Sequence, residues 1–194
     1  MLALQHVVAA DWPHMPEDLR PARQLDSGAD MGAWITQGER HVLKLTRGDR
    51  MRRAITSGLH DGRFSFLAPV VYPQLVYFSG YACIGYWTPL YDTADKERFW
   101  TYHETWRQWW IEGESDGSLL GEQLVGACSA HDFRSAVERI DSADTHSGNW
   151  GMAGDQPVLF DPWSPYGSRI PDYDMGGTGT PPNWLQSWNK WRKS

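Results

Sequence analysis

Between residues 144 and 161 the chain reads Asp-Thr-His-Ser-Gly-Asn-Trp-Gly-Met-Ala-Gly-Asp-Gln-Pro-Val-Leu-Phe-Asp. An acid comes first, an amide follows five residues later, and a short apolar run ends in a second acid. That order suits phosphoryl transfer. Asp144 could orient a hydroxyl and accept its proton, while Asn149 and Asp161 could hold magnesium against the phosphates of ATP. Oxygen-bearing side chains of this kind match a hard cation such as magnesium. Singly, each Asp reads as a turn or cap residue and Asn149-Trp150-Gly151 as a turn; only the set is specific. A mononuclear metal hydrolase built on Asp144, His146 and Asp161 is the competing chemistry. It leaves Lys44 and the N-terminal part of the chain without a role.

Lys44 stands in Val42-Leu43-Lys44-Leu45, on an expected strand shortly after a Gly-containing turn. Taken alone it reads as an ordinary edge-strand lysine. The chain, however, has four lysines against 14 arginines, and Lys44 is the only lysine before Lys96. A compact ammonium suits a buried phosphate better than a wide guanidinium does. Gly28 and Gly32, in Asp26-Ser-Gly-Ala-Asp-Met-Gly-Ala33, could let backbone amides approach a nucleotide, although such a turn can equally do no more than join two strands.

The elements that must position these residues can be read from periodicity. Residues 1–24 read as an irregular arm or short helix. Gln24-Leu25-Asp26, Ala33-Trp34-Ile35-Thr36 and His41-Val42-Leu43-Lys44-Leu45 predict a three-stranded meander. Residues 48–60 predict an arginine-rich helix ending near Gly58, whose Arg50, Arg52 and Arg53, with Arg47 before it, read as a solvated face. Two extended pieces, 70–72 and 74–78, flank Pro73, and a further strand covers 81–87. Residues 88–92 then form a connector. From Asp95 onward the spacing is helical, with Phe99, Tyr102, Trp106, Trp109 and Trp110 as an apolar stripe that reads as core. A second helix is expected from Leu119 to Ile140, with a break around Cys128 to His131. Val158-Leu159-Phe160 would carry Asp161 into a cleft, with Gly151 to Gln156 as the hairpin turn before it. Trp184, Trp188 and Trp191 recur at helical spacing near the basic end, as a core cap or a docking element. The order predicts an α+β chain: an antiparallel sheet with one helix, then a mainly helical half.

Composition narrows the classes. A 194-residue chain fits one domain with a real core. A formal charge of −6 argues against general nucleic-acid affinity. Cys83 and Cys128 lie far apart in apolar stretches and suggest a reducing compartment. The first ten residues lack the basic start of a secretory signal, and no apolar run approaches the roughly 20 residues of a membrane helix. The expectation is a cytoplasmic protein without nucleic-acid or membrane partners.

With these residues in hand, the chain resembles the protein-kinase-like superfamily. Its loop Asp144-Thr-His146-Ser-Gly148-Asn149 is similar to the Asp-x-His-x-Gly-Asn loop of that group, which includes the aminoglycoside phosphotransferases. The likeness is nearest to the early-gene Ser/Thr protein kinases of lytic podophages, which share the Asp-x-His-Ser-Gly-Asn loop and a following strand ending in Asp-Pro, as Asp161-Pro162 does. A looser likeness of order runs from about Leu25 to Pro165. The resemblance implies a minimal two-lobed kinase-like fold over residues 1–194, with an N-terminal lobe at 1–88 and a reduced C-terminal lobe at 89–194. It implies Lys44 on the ATP phosphates, Asp144 as base, His146 in support, and Asn149 and Asp161 on magnesium. A host protein in the host cytoplasm would be the substrate. The pattern also departs from that family. No glutamate occurs between Lys44 and the next strands, leaving Asp49 or Asp61 as substitutes for the usual helix partner. Asp161 is followed by Pro-Trp instead of Phe-Gly, and 33 residues follow it. Two further readings follow from those features: a small-molecule phosphotransferase, and an inactive kinase-like module that binds a host protein.

Overall fold

The computed structural model describes residues 15–25, 32–46, 49–78, 81–140 and 143–163. Five strands form one antiparallel sheet: β1 (Pro21–Gln24), β2 (Gly32–Thr36), β3 (His41–Thr46), β4 (Val71–Phe78) and β5 (Tyr81–Pro89), in the order β1-β2-β3-β5-β4. Helix α1 (Asp49–Thr56) connects β3 towards β4. Three helices follow the sheet: α2 (Lys96–Glu112), α3 (Leu119–His131) and α4 (Phe133–Arg139). A hairpin, β6 (Trp150–Ala153) and β7 (Gln156–Leu159), closes the described chain. The fold is therefore α+β, with a five-stranded antiparallel sheet and, among the described residues, four α-helices. No helix among them is long and apolar enough to cross a membrane.

Alternation along β3 divides its side chains between two faces. Leu43 and Leu45 join Trp34, Val76, Cys83, Trp87 and Leu19 in one apolar cluster, where the Trp87 indole N–H donates to the Leu19 carbonyl at 2.8 Å. Val42 and Lys44 face the other way, opposite Thr88 and Tyr86 of β5. Cys83 is buried, Cys128 is half-buried, and neither is in a disulfide.

A larger cluster joins α1 and β5 to the helices and the hairpin. Its centre is the aromatic stripe of α2. Phe99, Trp106 and Trp109 are buried, while Tyr102 and Trp110 are half-buried. Trp106 packs edge-on against Phe133 at 6.0 Å and against Trp150 at 6.3 Å between ring centres. Asp95 starts α2 by accepting from the Arg98 amide, and left-handed Gly113 ends it. Arg53 of α1 is half-buried. Its guanidinium donates to the Arg139 carbonyl at the end of α4, 3.1 Å away, where a cation also suits the helix dipole.

Several elements differ from expectation, and proline accounts for three of them. The first strand lies earlier, at Pro21–Gln24, because Pro21 opens an edge strand. Residues 71–78 form one strand through Pro73, since β4 is the opposite edge and its register is irregular between Val71 and Gln74. Strand β5 runs on through Pro89, which lies opposite His41, while the Leu90 amide donates to the Arg40 carbonyl at 2.8 Å. The break between α3 and α4 falls at Asp132, whose φ is 51°. The hairpin turn is at Gly154, not at Gly151. Gly151 lies within β6, where a Cβ would come 2.7 Å from Tyr91 Cβ and 3.1 Å from the Asp92 carbonyl oxygen. The helical spacing of Trp184, Trp188 and Trp191 lies outside the described residues.

Candidate functional site

A cavity of about 390 Å³ opens below the inner face of the sheet. Val42, Lys44, Tyr86 and Thr88 line it from β3 and β5, and Asp144, His146, Asn149, Phe160 and Asp161 line it from the opposite side. Gly32 is also at its edge, with φ 140° and no room for a Cβ against the Trp34 ring. Gly28 lies outside the described residues. The structure thus brings Lys44, Asp144, His146, Asn149 and Asp161 to one cavity from three separated parts of the chain.

Lys44 is 8 % exposed, and its ammonium lies 3.1 Å from Asp161 Oδ2 and 3.2 Å from the Phe160 carbonyl oxygen. The Phe160 ring centre is 4.9 Å away, adding a cation–π contact. The Asp161 side chain is 45 % exposed, so this pair positions the lysine more than it stabilises the fold. Asp161 occupies the place that sequence reasoning assigned to Asp49 or Asp61. Asp61 is engaged elsewhere: it accepts from the Arg63 guanidinium, whose hydrogen bonds hold its carboxyl below the usual carboxylate range. The Asp49 side chain lies outside the described residues.

Backbone bonds hold the acid–amide–acid set at fixed spacing. The Asn149 side-chain amide donates to the Asp144 carbonyl at 2.9 Å, which leaves its oxygen as the remaining ligand atom. The Phe160 amide donates to the Asn149 carbonyl at 2.9 Å, and the Asp144 amide donates to the Pro162 carbonyl. The loop carrying Asp144 and Asn149 is therefore laced to the segment carrying Asp161. His146 Nδ1 accepts from the Gly148 amide at 3.0 Å, and Nε2 lies 3.8 Å from Asp144 Oδ1. Its side chain is 60 % exposed, so it shapes the loop tip and stands beside the acid.

Three supporting groups escaped the sequence reading. The Thr145 carbonyl accepts from His103 Nδ1 at 2.8 Å and from the Trp150 indole at 2.9 Å, fixing the residue between Asp144 and His146. Tyr91 stacks on Phe160 with 6.3 Å between ring centres, and burial pushes its phenol up to about 12. His60 is fully buried. Its Nδ1 meets the Ala68 carbonyl at 2.7 Å, and its Nε2 accepts from the Trp163 indole at 2.7 Å. A carbonyl only accepts and an indole N–H only donates, so the proton sits on Nδ1. Burial, with a smaller contribution from the Lys44 charge, lowers the imidazole pKa from 6.5 to about 4. His60 is therefore neutral at pH 7. No local pattern reveals these groups, because the partners that tie them to the site are distant: His103 lies 42 residues from Thr145 and Trp163 lies 103 from His60.

Among the described residues, no group of three His, Cys, Asp or Glu side chains is arranged to hold a metal ion. Asp144, His146 and Asp161 do not form such a group. An Asn oxygen and a single carboxylate do fit magnesium, which keeps waters and takes further ligands from substrate phosphates. No protein-family model matches the chain, and neither does any curated protein or solved structure.

Proposed function

We propose that this chain is an ATP- and magnesium-dependent phosphotransferase of the protein-kinase-like type, acting as a Ser/Thr protein kinase. One observation carries the reading: Lys44, Asp144, Asn149 and Asp161 line the same cavity, with the Lys44 ammonium 3.1 Å from Asp161. The order of elements supports it too. A lysine on the third strand of an antiparallel sheet, an acid–amide loop and a strand ending in Asp are the parts a kinase site assembles. The sheet with α1 corresponds to an upper lobe and α2–α4 with the hairpin to a reduced lower one.

In this reading Lys44 turns its ammonium to the nucleotide phosphates, where a compact charge is well matched to an anion. Asp144, with its side chain 31 % exposed beside the cavity, orients the acceptor hydroxyl and takes its proton. The acceptor oxygen then bonds to the γ-phosphorus as the bond to the ADP oxygen breaks. Asn149 and Asp161 would hold magnesium, which when bound supplies charge neutralisation at the phosphates. His103 and Trp150 keep the base in place through Thr145. Val42, on the cavity face of β3, provides apolar surface for a flat base.

The narrower statement, that the acceptor is a host protein in the host cytoplasm, rests on the resemblance to phage kinases. Incubation with labelled ATP, magnesium and a bacterial lysate tests it. Labelled protein bands that disappear with Asp144→Asn and with Asp161→Asn support a protein kinase. Label appearing only on added small hydroxylated acceptors would move the assignment to a small-molecule phosphotransferase. Equal labelling by wild type and both variants would refute it.

A further inference from the structure

Asp161 sits midway between two anchors on one segment, residues 60–70, whose anchoring residues His60, Phe66 and Ala68 are buried. On its N-terminal side, the Leu159 carbonyl accepts from the Ala68 amide at 3.1 Å, and the Leu159 amide donates to the Phe66 carbonyl at 2.8 Å. On its C-terminal side, the Trp163 indole donates to His60 Nε2 at 2.7 Å. His60 itself is fastened to the same segment, because its Nδ1–H donates to the Ala68 carbonyl and its own carbonyl accepts from the Val70 amide at 3.0 Å. A closed circuit therefore runs from Leu159 through Ala68 and His60 to Trp163, with Asp161 in the bridge. Pro162 restricts the backbone between the acid and the second anchor. His60 and Trp163 are 4 % and 6 % exposed, so water does not compete for their bond.

We propose that His60 and Trp163 form a fixed anchor that holds the Asp161 segment in its cavity-facing position. His60 is then a positioning residue that touches neither nucleotide nor acceptor. Its consequence for magnesium rests on the reading of Asp161 as a metal ligand. The need for an anchor follows from Lys44. In the free protein Lys44 restrains Asp161 directly, at 3.1 Å. A phosphate in the cavity competes for that ammonium, and Asp161 then depends on the backbone on either side of it. Leu159 and Trp163 supply that hold. The magnesium-facing pose is thereby built into the fold, and no movement of the segment is required to reach it.

The anchor needs one side chain that donates to a carbonyl and accepts from an indole while carrying no charge. Neutral histidine does this, an amide can do it in part, and phenylalanine cannot. Two readouts on wild type, His60→Phe, His60→Gln and Trp163→Phe test the proposal, each on protein shown to unfold cooperatively. The first is NMR hydrogen exchange at the backbone amides of Phe160 and Asp144, whose bonds to the Asn149 and Pro162 carbonyls lie on either side of Asp161. The proposal expects about tenfold or faster exchange in His60→Phe and Trp163→Phe, the scale of one lost buried hydrogen bond. His60→Gln should recover part of the protection. The second is the affinity for a fluorescent ATP analogue in EDTA and in magnesium. The gain on adding magnesium should shrink about tenfold in His60→Phe and Trp163→Phe, while affinity in EDTA stays within about threefold in His60→Phe, since His60 lies outside the cavity lining. Unchanged exchange at both amides in folded His60→Phe and Trp163→Phe overturns the anchor. Altered exchange with no magnesium-dependent nucleotide binding by wild type keeps the anchor and refutes the kinase reading instead.

Discussion

Acidification should destabilise this protein at one identifiable residue. His60 is buried and neutral, and burial has pulled its pKa from 6.5 to about 4. The unfolded chain therefore binds a proton that the folded chain refuses, so stability falls as pH falls from 6.5 towards 4. One pKa unit corresponds to about 1.4 kcal/mol. At pH 5 the imidazole is almost fully protonated in the unfolded chain and mostly neutral in the folded one. The cost relative to pH 7 is then about 2 kcal/mol, rising to about 3 kcal/mol below pH 4. Urea unfolding of wild type and His60→Gln at pH 7 and pH 5 measures it. Glutamine does not titrate, so wild type should lose about 2 kcal/mol more than the variant over that interval. The other histidines and the carboxylates are common to both proteins and cancel in the difference. Asp61, held low by Arg63, acts only at lower pH. Equal pH dependence in the two proteins would refute the buried neutral His60 and its bond to Trp163.

Other perturbations test the rest of the frame. Gly151→Ala places a methyl 2.7 Å from Tyr91 Cβ, between two backbones that cannot separate freely, and should cost about 1–3 kcal/mol in urea unfolding. Trp106→Ala empties the junction of α2, Phe133 and Trp150, with an expected loss of about 3–5 kcal/mol. Asp144→Asn should abolish phosphoryl transfer while leaving nucleotide affinity within about threefold, because it removes a proton acceptor and not a phosphate contact. That split is read by comparing turnover with equilibrium binding.

Much of the site was legible because its parts are short and local. The run Val42-Leu43-Lys44-Leu45 put Lys44 on a strand, and the run from Asp144 to Asp161 carried its loop, hairpin and second acid in 18 consecutive residues. The α2 stripe, beginning after Asp95, was equally local. What escaped was tertiary. Pro21, Pro73 and Pro89 obscured the strand limits, since proline is tolerated only at an edge, an irregular register or an unpaired amide, and neither sheet order nor register is written in a segment. Gly151 resembled a turn glycine, whereas its small size serves the close approach of Tyr91 and Asp92. The partner of Lys44 was sought at Asp49 or Asp61 and lies 117 residues on, at Asp161. His60 meets Trp163 across 103 residues, with no spacing rule to connect them.

Calorimetry with ATP, in magnesium and in EDTA, on wild type and Lys44→Ala addresses the central claim most directly. Wild type should bind ATP, and more tightly with magnesium. Lys44→Ala should lose about tenfold or more in affinity, the scale of one hydrogen bond to a charged group. No binding by wild type, or equal affinity in the variant, would contradict a nucleotide site at this cavity.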